Sequence, residues 1–110
     1  MFQTPFSEQV RLEAGVPTIT AGNITSADQV NTIIAAGRAD LVALARPHLV
    51  DPHFTLRAAA HYGYRDQAWP NPYLTAKSQE ERLAAAARER ELELLRAHRP
   101  PPPTAKRAAE

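Results

Sequence analysis

The chain has 110 residues, enough for one small domain, with the hydrophobic and charged fractions of an ordinary soluble protein. A net charge of +1 lacks the basic excess that phosphate-dominated nucleic-acid binding requires, and the absence of cysteine excludes disulfides, thiolate metal sites and cysteine nucleophiles. The opening MFQTPFSEQV has neither the basic start nor the apolar core of a secretory signal, and no run approaches the roughly 20 apolar residues of a membrane span. A cytoplasmic protein without membrane contact is expected.

The first predicted element is a short helix over residues 6–15, with Ser7 as N-cap, Phe6 and Val10 sharing a packing face and Gly15 as its stop. VPTITAGNI follows and reads as a strand: it is β-branched, is opened by Pro17 and ends at Gly22. Ser26 then caps an amphipathic helix, SADQVNTIIAAGRAD. In it Val30, Ile33 and Ile34 share a face, Asp28 suits the positive N-terminal end and Gly37 stops the run. LVALA supplies a second, almost continuously apolar strand, and a short helix is predicted from Asp51-Pro52 through Ala60.

Strand, helix and strand in that order make a right-handed βαβ unit, which belongs to α/β folds. Two parallel strands leave both outer edges unprotected and give the helices little sheet to cover, so a piece of a larger barrel or sheet is expected. Beyond Gly63, YRDQAWPNPYLTAK carries two prolines and reads as an extended, packed connection. The next segment, SQEERLAAAARERELELLRAH, predicts a long helix in which Ser78 and Glu81 are spaced as a capping box. Its charges are mixed, Glu89 and Glu93 being a repulsive pair, and its leucines do not hold a heptad for three repeats. The four-proline run from Pro100 and the following TAKRAAE offer nothing larger than alanine to bury, which predicts a disordered tail over residues 100–110.

Chemistry concentrates where each strand ends. Ala21-Gly22-Asn23 and Ala45-Arg46-Pro47 are turns of small residues, through which a backbone can approach a ligand closely. In α/β barrels the loops after the last two strands often make a phosphate site, to which Arg46 would add a charge-assisted clamp. The residues alone leave open that Gly22 only permits a tight turn and that Arg46 reaches solvent or pairs with Asp51. His48 and His53 are five residues apart, which is not a ligand spacing on one helix face, so a structural or solvent-facing role is expected and no metal. Tyr62, Tyr64 and Tyr73 have no base or orienting partner that the sequence can name.

Residues 2 to about 75 resemble the C-terminal βα units of the Old Yellow Enzyme family of NAD(P)H:flavin oxidoreductases. The resemblance rests on Ala21-Gly22-Asn23-Ile24, where the family has V-G-x-I, and on the block from Asp40-Leu41 through Ala45-Arg46 to Asp51-Pro52, where it has D-L-x-x-x-G-R-x-x-x-x-D-P. It looks most like the branch of xenobiotic reductases and salicylyl-CoA hydroxylase-like oxidoreductases. This implies the last two βα units of a TIM (β/α)8 barrel over residues 1–75, a charged helix over 76–99 and the tail. An FMN phosphate would be bound by Ala21, Gly22, Ala45 and Arg46, with NAD(P)H as electron donor, an electron-poor small molecule as acceptor and a homo-oligomeric parent. Ala45 departs from the family glycine, a change that leaves its amide available wherever φ is negative. The family's catalytic residues lie on earlier strands, so none is assigned here. Trp69, in WPNPY, resembles a C-terminal tryptophan that reaches a neighbouring subunit's active site, although a residue pinning the tail to the barrel wall is the favoured reading. A full barrel takes roughly 250 residues, so the chain reads as a fragment that neither holds FMN tightly nor turns over alone. Two other readings stand beside it: a non-catalytic module whose C-terminal helix docks a partner, and a different phosphate-binding barrel.

Overall fold

A computed structural model describes residues 1–99, so the predicted disordered tail lies outside the described residues. Contacts divide the chain into two compact units, Met1–Ala58 and a second beginning at Ala59. In the first unit the order is α1 (Thr4–Ala14), β1 (Ile19–Thr20), α2 (Ala27–Ala35), β2 (Leu41–Val42) and α3 (Arg46–Val50). The division falls within helix α4 (Phe54–His61), and the second unit, to which His61 belongs, holds a 3-10 turn at Asn71–Tyr73 and helix α5 (Leu74–Ala97).

The strands pair in parallel, with Ile19 opposite Leu41 and Thr20 opposite Val42. Helix α2 is the crossover between them, as the βαβ reading requires. It starts where Ser26 accepts a hydrogen bond from the Gln29 amide at 3.2 Å, and its face buries Ile33 against Ile24 and Ala39, with Val30, Val42 and Leu44 packed around them. Ile34 is the exception to the predicted face: one residue round the helix from Ile33, it points largely to solvent.

Helix α1 begins at Thr4, earlier than the predicted Ser7 cap, because Pro5 fits the first turn, where no amide partner is needed. Ser7 instead donates its hydroxyl to the Thr4 carbonyl at 2.9 Å. The predicted apolar face is also corrected, since Phe6 and Val10 are exposed. What holds α1 is polar. Arg11 donates through Nε to Asp40 Oδ2 at 3.0 Å and through Nη1 to the Gly37 carbonyl at 2.9 Å, while Arg38 Nε meets Glu8 Oε2 at 2.7 Å. Asp40 also accepts from the Thr18 amide at 2.8 Å, so one carboxylate ties α1 to the entrances of both strands. The Arg11 hydrogen bond foremost, and the Thr18 amide after it, hold this carboxyl below the usual aspartate range.

The block after β2 differs from expectation. Arg46-Pro47 does not end a strand in a loop but opens α3, with proline again in the first turn. Helix α4 starts at Phe54 rather than at Asp51-Pro52. Asp51 caps α3 in an extended conformation, and its carboxylate accepts from the His53 amide at 3.0 Å, turning the chain before α4.

In the second unit α5 starts four residues before the predicted Ser78 cap. The 3-10 turn with Pro72 in its first turn launches it, so Ser78 and Glu81 lie inside the helix and make no capping box. Lys77 donates to the carbonyls of Arg65 at 2.7 Å and Gln67 at 3.2 Å, and Arg88 Nη1 donates to the His61 carbonyl at 3.1 Å. Gly63, at φ 71°, lies beneath that arginine: a Cβ there would stand 2.7 Å from Arg88 Nη1.

Candidate functional site

A parallel pair puts the C-terminal ends of its strands on one edge, and there the first unit opens a cleft of about 500 Å³. Its two lips are Ala21-Gly22-Asn23 and the run from Ala43 to Pro47, and Val50 and Phe54 form the apolar wall behind. The structure thus brings together Ala21, Gly22, Ala45 and Arg46, which the sequence placed in two separate turns. Trp69, the other residue singled out, is half-buried in the second unit.

The two lips reach the cleft by different backbone routes. Gly22 has φ 99°, which an L side chain rarely adopts, and Asn23 follows at φ 51°. Space is closed as well, since a Cβ on Gly22 would meet Gln3 Cγ and Phe2 Cε1 at 3.2 Å each. The torsion is what favours glycine at position 22, and a side chain there would also press on the exposed Phe2 and Gln3. Ala45 has φ −111°, open to any L residue, so alanine in place of the family glycine introduces no backbone strain.

Arg46 is exposed, lines the cleft and makes no side-chain hydrogen bond or ion pair among the described residues. The pairing with Asp51 left open by the sequence does not form. Asp51 instead meets Arg57 at 3.4 Å. A guanidinium free of partners at a cleft mouth is suited to an anionic ligand, because no existing bond must break to engage it. His48 stacks edge-on against Phe54 with ring centroids 5.6 Å apart, and no group of three or more metal-ligating side chains occurs among the described residues.

Three features escaped the sequence reading. Val50 and Phe54 line the cleft because α3 exists, and a five-residue helix is too short to show periodicity. The left-handed Asn23 had a weak signal in its identity, asparagine being tolerant of positive φ. The Arg11–Asp40 clamp spans 29 residues of sequence and had none.

Residues 1–64 match the model of the NADH:flavin oxidoreductase / NADH oxidase family. The chain belongs to this family. Among its relatives, an NADPH dehydrogenase of Geobacillus thermodenitrificans is 43% identical over 67 residues, covering 61% of this chain and 20% of the relative. Another, from Geobacillus sp. strain WCH70, is 45% identical over 62 residues, covering 56% and 18%, and one from Listeria innocua is 36% identical over 75 residues, covering 68% and 22%. The chain thus spans about a fifth of the length of these relatives. The family match takes in both lips of the cleft and the whole of α3, and it ends before α5.

Proposed function

We propose that this chain carries the cofactor-phosphate cleft of an FMN-dependent NAD(P)H oxidoreductase. The observation that carries the reading is the unpaired guanidinium of Arg46 at the junction of two strand ends, in a chain of the flavin oxidoreductase family. The residues present fit the group. Arg46 offers two-pronged hydrogen bonding to phosphate oxygens, Gly22 lets the backbone come close without a side chain, and Ala45 keeps its amide accessible at negative φ. Bound FMN supplies the redox chemistry, hydride passing from NAD(P)H to an electron-poor acceptor such as an activated alkene.

The two βα units are, in this proposal, the last two of a (β/α)8 barrel. Support comes from the parallel pair with its crossover helix and from Ile19 and Leu41, paired in register and both largely exposed. A two-member apolar layer of this kind has the character of a barrel interior whose other members come from further strands. A cytoplasmic location belongs to the same reading.

The isolated chain is expected to bind FMN more weakly than micromolar and to show no turnover, because the cleft reaches only the phosphate end of the cofactor. Amide NMR of the chain titrated with millimolar FMN tests this. Shifts centred on Gly22, Ala45 and Arg46, produced by FMN but not by riboflavin and lost in Arg46→Ala, are the expected result. Equal shifts with riboflavin would overturn the phosphate assignment.

A further inference from the structure

The face of α5 that carries Lys77, Glu81, Ala84 and Arg88 is half-buried, because Lys77 and Arg88 reach the carbonyls of Arg65, Gln67 and His61 from it. At 3.6 residues per turn the same face continues as Leu92 and Leu95. There nothing among the described residues covers it, and the two leucines are 49% and 63% exposed. One flank of this uncovered stretch carries opposite charges two turns apart, a pattern complementary to itself when the helix is reversed. On that flank Glu89 is followed two turns later by Arg96, whereas on the other Glu91 precedes His98, whose Nδ1 lies 2.7 Å from the Leu94 carbonyl oxygen of its own chain.

We propose that the last three turns of α5 are a docking surface for a second copy of this chain, laid antiparallel. In that arrangement Leu92 of each copy packs against Leu95 of the other. Residues on a given flank face the same flank of the partner, so Glu89 of each copy meets Arg96 of the other, and the pairing occurs twice by symmetry. A parallel pairing is disfavoured by the chain itself. Residues 61–67 lie against the same face just upstream, and parallel copies would drive these segments into one another. Arg88 and Arg99 would face each other at the two ends of the overlap, which confines the contact to the stretch between them. So short an overlap buries less than roughly 1,000 Å², which places it among weak, concentration-dependent associations. The surface lies outside the family-matched residues and does not depend on the cofactor reading.

Sedimentation velocity of the full chain from low to high micromolar concentration tests the proposal. The expected result is a reversible shift from monomer to dimer, abolished by Leu92→Glu with Leu95→Glu. Circular dichroism checks that the helix persists in this variant, and Leu92→Ala with Leu95→Ala replaces it if the helix does not. Glu89→Arg alone is expected to weaken dimerisation on the order of tenfold by making both of its cross-pairs repulsive, and adding Arg96→Glu should restore it. A chain that stays monomeric throughout, a dimer indifferent to the leucine variants, or a charge swap that fails to rescue would each overturn it.

Discussion

The two lips of the cleft occupy equivalent places at the ends of paired strands, yet they tolerate sequence differently. After β1 the chain turns through left-handed Gly22 and Asn23 beneath the side chains of Phe2 and Gln3, so any side chain at position 22 is strained. After β2 the chain turns through Ala45 at negative φ and enters a helix at once, and the position is open to an ordinary residue. A glycine-to-alanine difference is thus harmless or damaging according to torsion and surroundings, not according to nearness to the ligand.

Substitution at Gly22 breaks that comparison most severely. Gly22→Ala combines a disallowed φ with a 3.2 Å contact and is expected to destabilise the first unit by about 1–3 kcal/mol, read as a lowered midpoint in urea. The reciprocal change, Ala45→Gly, should cost no more than about 1 kcal/mol, through the greater freedom of the unfolded chain alone. If the two midpoints fall equally, the contrast between the lips is wrong.

A sharper test acts through Asp40, whose carboxylate holds the entrances of both strands. Its folded pKa is depressed, so its contribution to stability is complete above the ordinary aspartate value of about 3.9 and is lost as pH falls through the lower folded value. Thermal melting from pH 6 down to pH 2 should show an acid-side loss of stability that is reduced in Asp40→Asn. That variant should also be less stable than the parent at pH 6. Arg46→Ala is expected to have the smallest effect on folding, within about 0.5 kcal/mol, since the side chain has no partner to lose, while it removes the FMN response.

Much of this was legible where the signals are local. Helix α2 announces itself through Ser26 and the spacing of Val30 and Ile33, both of which act within a single turn. The meeting of Ala21-Gly22 with Ala45-Arg46 was legible too, because parallel strands joined by one helix must end on the same edge. Proline misled the reading twice, at Pro47, which reads as part of a turn, and at Pro72, which reads as part of an extended connection, each of which instead sits in the first turn of a helix. Ser78 misled in the opposite sense: a capping-box spacing inside a helix that has already begun is indistinguishable, in sequence, from one at its start. The polar fastening of α1 was out of reach, since Arg11 and Asp40 meet only after β1 and α2 have folded between them.

Gly63 carries a consequence of another kind. Because it has no side chain, the guanidinium of Arg88 can rest above it and close the last turn of α4 through the His61 carbonyl. Position 63 therefore works as a socket that gauges size. Any residue placed there would push the guanidinium off the His61 carbonyl and loosen the grip of α5, the longest helix among the described residues, on the turn it holds.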